Sequence, residues 1–595
     1  MNRVKVKNRT GYHHAQPARF NKIDRVHFIL AGFIMVTIMI VLRLFSVQII
    51  KHSFYVNAAT DAHALVQELM PSRGDIYVQD KFSENGLAMI AGNQTKQSVY
   101  LNPMQISDAS ALADNISTIL SLDPKIVLER AAKENDVYEP LKNNVSDQEI
   151  SALTKIIEEK KLTGIHWSPE ETRFYPEGMI TSSITGFVGM VDDEKTGQYG
   201  LENYFNKELA GVAGAVTRNQ DSLGKIMSAG DDPEEEAQDG DTLILTIDKN
   251  IQYKVCSLLA QAVDEHEAQQ GSVIVMDPKT GAILSMCNAP LYDANKYYEV
   301  PDISIFSNDA IADQYEPGSV MKSIALATAI DQGVITPATT FDDAGAVHID
   351  SFTIRNSDGK GHGTVNMTYV LEYSLNTGCI YALQQLHNNE IWYDYLQKFG
   401  FGQKTGIKLS GENPGDISAV GTLKDIYTAT SCYGQGMTAT PLQMLQAYGA
   451  IANGGTMMRP YIVKQKISAS GQKENYEPEI AGHPISAETA QTVAAMLVRV
   501  VEGGHAIRAA VDGYHVAGKT GTAQIPNPNG RGYLSNEHKD TFVGFVSVSD
   551  PKAVILIKID QPKDVAWSDA STAPLFSKIT QFLVNYMQIA PDKVE

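Results

Sequence analysis

Ser319 and Lys322 stand three residues apart in Glu316-Pro317-Gly318-Ser319-Val320-Met321-Lys322, a spacing that can build an activated nucleophile. Pro317 and Gly318 suit a turn, and Ile324, Ala325, Leu326, Ala327, Ala329 and Ile330 form an apolar helical run closing at Gly333. This predicts Ser319 at a helix N-terminus, with Lys322 on a neighbouring face and its amine within reach of the hydroxyl. A serine hydroxyl attacks poorly until a base takes its proton, and a lysine serves as that base when burial or another cation keeps it neutral. The helix dipole favours the negative charge that develops during attack.

Serine-x-x-lysine alone is weak evidence, since Ser470-Gly471-Gln472-Lys473 repeats it in a polar stretch that reads as a surface loop. Partners decide between the copies. A Ser-x-Asn and a Lys-Thr-Gly complete this kind of site, and Ser374-Leu375-Asn376 and Lys519-Thr520-Gly521-Thr522 follow Ser319 in that order. Lys-Thr-Gly also begins at Lys195, Lys279 and Lys404, and Ser83-Glu84-Asn85 is a second Ser-x-Asn. Of the four Lys-Thr-Gly copies, only Lys519 ends a strand-like run, and the small Gly521 and Thr522 after it leave a sheet edge open to a ligand. Gly513 to Thr520 also fits the phosphate-binding loop pattern. That match reads as accidental, because Tyr514-His515-Val516 is strand-like inside it and Pro526 and Pro528 forbid a long helix after it.

These segments need elements to hold them, and 595 residues allow two or more domains. Formal net charge is −20; seven basic side chains against Asp24 in the first 25 residues leave about −26 on the remainder, which argues against nucleic acid as a partner. Val26 to Ile50 follows the basic tail and is apolar apart mainly from His27, Arg43 and Gln48. A cleaved signal peptide is the alternative, but Ala62-His63-Ala64 lies too far downstream for its cleavage site. An uncleaved anchor is favoured, with Arg43 snorkelling, the N-terminus in the cytoplasm and the rest outside. Cys256, Cys287, Cys379 and Cys432 include no Cys-x-x-Cys, which excludes a zinc ribbon or redox dithiol. Buried free thiols are the favoured reading; an oxidising exterior would permit disulfides, in any of three pairings if all four are used.

From 51 to 240 strand-like pieces (76–78, 98–101) mix with helical ones (110–120, 146–162), and Asp231 to Glu236 reads as a solvated loop at a domain boundary. A new domain then opens with a strand at 243–248, a helix at 251–266 and a hairpin at 272–286. Helices dominate from Ser319 to 452, Ser486 caps a helix over 488–502, and strands at 514–517, 541–548 and 553–559 precede an amphipathic C-terminal helix. Strands near both ends with helices between them predict an α+β fold, an antiparallel sheet covered by helices.

In this order the motifs resemble the transpeptidase domain of penicillin-binding proteins. Arg73-Gly74-Asp75-Ile76, Arg173-Phe174-Tyr175-Pro176, Gly186 to Gly189 and Gly200-Leu201-Glu202 resemble the pedestal motifs of class B members. Gly434-Gln435-Gly436, Thr440-Pro441-Leu442-Gln443 and Ala452-Asn453-Gly454-Gly455 fit the same family. The short step from Gly186 to Gly200 resembles the division-specific type. Leu375 and Cys379 are small departures that bear on the shape of the cleft.

The resemblance implies a cytoplasmic tail (1–25), a transmembrane helix (26–50), an elongated mixed α/β pedestal (51–240) and a transpeptidase domain (241–595). It implies a D,D-transpeptidase of septal cell-wall synthesis, inhibited by β-lactams, that needs no metal or cofactor. Ser319 would attack the bond between the terminal D-alanines of a peptidoglycan stem peptide, with Lys322 as base, kept neutral by a positive Lys519. Ser374 would relay a proton to the leaving group, and Asn376 would bond the substrate amide and Lys322. Backbone N–H groups of Ser319 and Thr522 would form the oxyanion hole, and Thr520, Gly521 and Thr522 with Lys519 would hold the terminal carboxylate. Arg173 and Glu202 read equally as a pedestal ion pair or as solvated charges. A membrane glycan-strand polymerase and other division proteins are the implied partners. A D-alanyl-D-alanine carboxypeptidase, a β-lactamase-like hydrolase and a non-catalytic scaffold are the competing readings.

Overall fold

The computed structural model describes residues 25–55, 64–133, 136–192, 194–219, 234–527, 530 and 532–593. The basic tail before Arg25, Ala62 and His63, Pro528 and the start of the Asp231 charge run lie outside them. The described chain forms two units, residues 1–69 with 213–237, and 70–212 with 238–595.

The first unit carries helix α1 (Arg25–Phe45), which continues as a wider turn through Ser46–Ile50. Val26–Ile50 spans 25 residues at a mean hydropathy of 2.6, long and apolar enough to cross a bilayer. A three-stranded antiparallel sheet (Ala64–Leu69, Gly214–Asn219, Glu234–Glu235) completes the unit. Glu234 and Glu235, read as loop, thus pair as a short strand.

In the second unit, β1 (Ile76–Gln79) and the long β2 (Leu87–Leu101) join β3 (Thr242–Asp248) in a seven-stranded sheet that spans residue 240. β1 runs parallel to β3. Helices at Ala109–Leu120, Pro124–Ala131 and Asp147–Lys160 cover the far end of β2 around a small core of their own. Ser146 starts the last of them with a reciprocal cap, its hydroxyl accepting from Glu149 N while Glu149 accepts from Ser146 N. Beside this sheet the buried Glu202 carboxylate bridges Arg73 Nε (2.6 Å) and Arg173 Nε (2.7 Å), so the ion-pair reading holds and Arg73 joins it.

After β3 come α2 (Lys249–Glu265) and the hairpin β4 (Gln270–Met276) and β5 (Ile283–Ala289). α3 (Met321–Asp331) follows Ser319, α4 (Asn376–Gln384) begins at Asn376, and α5 (Pro441–Ala452) is capped by Thr440, with Pro441 at its first position and Gln443 reaching back. β6 (Val463–Ile467) pairs with β3, and α6 (Ala487–Gly503) is capped by Ser486 as predicted. β7 (Val516–Pro526), β8 (Tyr533–Val546), β9 (Val554–Asp560) and α7 (Thr572–Tyr586) finish the unit. The main sheet has the order β5-β4-β9-β8-β7 and is antiparallel throughout. Every residue of β9 is buried, which requires cover on both faces; α2 and α7 pack together on the sheet, as do α5 and α6. The α+β expectation is met.

Two sequence readings are corrected here. β7 runs on through Lys519-Thr520-Gly521-Thr522, so the motif lies inside a paired strand and not at its end, and no phosphate-binding loop is present. Cys256 and Cys287 form a disulfide, their Cα atoms 5.4 Å apart across α2 and β5, whereas Cys379 and Cys432 are buried free thiols.

Candidate active site

Ser319 sits in a tight turn, Gly318–Val320, that leads into α3. Gly318 takes a left-handed φ of 66° and donates its N–H to the Gly434 carbonyl at 3.3 Å. A Cβ on Gly434 would lie 2.4 Å from Gly318 N, so the turn and the Gly434-Gln435-Gly436 segment approach as only glycine permits. Glu316 accepts from Gly436 N (2.9 Å) and from the Tyr533 hydroxyl (3.0 Å), and Tyr448 donates to the Val320 carbonyl (2.9 Å). The nucleophile is thus braced from three directions.

Lys322 and Lys519 are fully buried and converge on one hydroxyl. Lys322 Nζ donates to Ser374 Oγ (3.1 Å) and the Ser374 carbonyl (2.5 Å); Lys519 Nζ donates to Ser374 Oγ (3.0 Å) and the Thr520 carbonyl (3.0 Å). Both lone pairs of Ser374 Oγ are engaged, which leaves its proton to be donated into the cleft. Lys322 turns to Ser374 because that residue offers two acceptors; among the described residues no hydrogen bond joins it to Ser319, unlike the direct pairing read from the spacing. Ser374 itself is left-handed, φ 55°, at the junction between the helix Met367–Glu372 and α4. Asn376 Nδ2 donates to the Arg355 carbonyl (2.8 Å) and not to Lys322. Thr377 fixes the junction from below, donating its hydroxyl to Asp343 (2.8 Å).

Burial pushes the Lys322 amine down to about 8. Lys519 is held well below the ordinary lysine value, by burial first and by the Lys322 charge second. Both amines are thus held below the ordinary lysine value, and the charge of one opposes the charge of the other. His505 is lowered by burial and by Lys519, against the opposing effect of Asp569.

Gly521 has a structural reason: a Cβ there would lie 3.0 Å from the Pro317 carbonyl, so glycine lets β7 lie against the nucleophile turn. The same approach brings the Thr522 backbone beside Gly318. Ser319, Ser374, Thr520 and Thr522 line one cleft of about 300 Å³. Asp358, Tyr373, His505, Trp567, Ser568 and Asp569 line it too and were missed, since they lie in loops and element ends with no motif spacing. The other motif copies do ordinary work: Lys195 pairs with Glu170, Lys279 with Asp550, Thr405 bonds Glu412, Ser83 bonds Asn85 in a turn, and Ser470 lies exposed between β6 and the next strand.

Residues 271–581 match the penicillin-binding protein transpeptidase domain, and residues 68–245 the penicillin-binding protein dimerisation domain. Stage V sporulation protein D of Bacillus subtilis is 30% identical over 580 residues, covering 96% of this chain and 86% of that protein. Peptidoglycan D,D-transpeptidase FtsI of Escherichia coli is 30% identical over 443 residues, 74% of this chain and 71% of that one. Among solved structures, penicillin binding protein 3 of Mycobacterium tuberculosis, complexed with aztreonam, superposes with a TM-score of 0.67 at 27% identity, over 89% of this chain and 98% of the other. A serine, two buried lysines and a shared hydroxyl, on a chain matching both domain models over most of its length, make this a member of the class B penicillin-binding proteins.

Proposed function

We propose that the chain is a serine D,D-transpeptidase that cross-links peptidoglycan stem peptides in septal wall synthesis and is acylated by β-lactams. The observation that carries this is the convergence of Lys322 and Lys519 on Ser374 Oγ in the cleft of Ser319. A substrate carboxylate docked on Lys519, Thr520 and Thr522 favours the charged form of Lys519, and the like-charge repulsion then falls on Lys322. Neutral Lys322 takes the Ser319 proton as Oγ attacks the penultimate D-alanine carbonyl, with the backbone N–H groups of Ser319 and Thr522 as oxyanion donors. Ser374 passes a proton to the departing amine, the C–N bond breaks, and an ester remains on Ser319. The amine of a second stem peptide attacks that ester, the C–O bond breaks, and Ser319 recovers its proton. Asn376 would bond the substrate amide by exchanging its Arg355 partner.

We also propose the division 1–25 tail, 26–50 anchor, 51–240 pedestal and 241–595 catalytic domain, with the N-terminus cytoplasmic on the evidence of its basic residues. A membrane glycan-strand polymerase and division proteins would meet the anchor and pedestal. The test is labelling of the full chain in detergent by a fluorescent penicillin, with intact mass and a Ser319→Ala control. A lasting adduct on Ser319 supports the transpeptidase; rapid release points to a hydrolase, and a folded but unlabelled protein to a scaffold.

A further inference from the structure

The structure assigns Ser568 a role that rests on the transpeptidase reading: we infer that its hydroxyl is a carboxylate donor and sets specificity for acids in the cleft. Thr522 Oγ1 accepts the Ser568 N–H at 3.1 Å and donates its own proton to Ser568 Oγ at 3.1 Å. A threonine hydroxyl has one proton, so while this pair stands Thr522 has none to give a ligand. Ser568 Oγ accepts that bond, and its own proton has no acceptor among the described residues.

The result is a polarised chain, from the Ser568 amide through the Thr522 hydroxyl to the Ser568 hydroxyl, ending in a donor that lines the cleft of Ser319. Each bond strengthens the next, and an anionic acceptor gains most from a chain aligned in advance. Ser568 is 2% exposed, so the bond it makes is shielded from water.

The residue is held where it stands. Its carbonyl accepts from Thr572 N (3.1 Å), Ala573 N (3.2 Å) and Thr572 Oγ1 (2.9 Å) at the start of α7. Ser571 ties the same loop to the sheet by donating to Asp540, the residue opposite Thr522 on β8. Ser568 thus joins Lys519 and Thr520 as the donor that the Thr522 hydroxyl cannot be while the pair stands, and no motif announces it.

The experiment uses the full chain in detergent and measures the second-order rate of Ser319 acylation by a penicillin and by its methyl ester. Ser568→Ala is expected to slow the free acid about tenfold or more, as loss of a hydrogen bond to a charged group does, and to leave the ester within about twofold. Ser568→Thr, which keeps the hydroxyl, is expected to restore the acid rate. Equal slowing of acid and ester would reduce Ser568 to a packing residue and overturn the inference, as would an unchanged acid rate. If Ser568→Ala does not fold, Ser568→Cys supplies a weak donor of similar size, and the same acid-to-ester ratio decides. Failure of the unaltered chain to react with either compound would overturn the transpeptidase reading itself, and this inference with it.

Discussion

Acylation should rise with pH through the titration of Lys322. Its amine is pushed down to about 8 by burial. The sign follows from chemistry: the base must be neutral, so the active fraction grows as protons leave. With a midpoint of about 8, roughly 1% of the amines are neutral at pH 6, roughly 10% at pH 7 and about half at pH 8. The second-order acylation rate reports the free enzyme, so it should rise about tenfold from pH 6 to 7, about fivefold more to pH 8, and about twofold beyond. Stopped-flow acylation of the full chain by a chromogenic β-lactam, with folding checked at each pH, measures this. Lys519→Met supplies a second arm. Both amines bond Ser374 Oγ, so removing one buried cation lets Lys322 hold its proton longer and moves the inflection upward, whatever the absolute loss of rate. A flat profile from pH 6 to 9, or an inflection near that of an ordinary lysine, would refute Lys322 as the base.

Glu202→Ala leaves two guanidiniums, on side chains 11% and 4% exposed, without their carboxylate; a loss of about 3–5 kcal/mol is expected, larger than for Arg73→Ala, read from thermal unfolding. Opening the Cys256–Cys287 bridge, which closes a 31-residue separation, is expected to cost about 3–4 kcal/mol, seen as a lower Tm in reductant with the acylation rate unchanged. Gly434→Ala places a methyl 2.4 Å from Gly318 N on a residue with φ 78°. The nucleophile turn must move, and penicillin acylation should fall about a hundredfold while far-UV circular dichroism is kept.

Local signals carried the sequence reading far. The cap at Ser486, the hairpin over 272–286 and the order of the three motifs depend on signals local in the sequence, and the structure keeps them. What depended on distant partners was not legible. Lys519 lies within a strand because β8 pairs with it from Val516 to Pro526, although Gly518 and Gly521 weaken the intrinsic preference. The disulfide partners are joined by the packing of α2 on β5, which no spacing reveals. Arg73 meets Glu202 across 129 positions, and Ser568 meets Thr522 across 46. The left-handed Ser374 and the turn of Lys322 toward it follow from the helix junction at 372–376, a tertiary feature.

The main sheet also sets the order in which this protein can come into being. β4 lies between β5 and β9, and Gln270 pairs with Asp560, 290 positions later. At about 5–20 residues per second of synthesis, β4 waits roughly 15–60 seconds with one edge unsatisfied. Nor can β7 close against Ser319 before the last fifth of the chain exists. So high a contact order makes for slow, late folding and a long-lived unpaired edge. Until Asp560 has been made the sheet that carries Lys519 cannot be completed, so the pocket around the nucleophile is among the last parts of the molecule to be assembled.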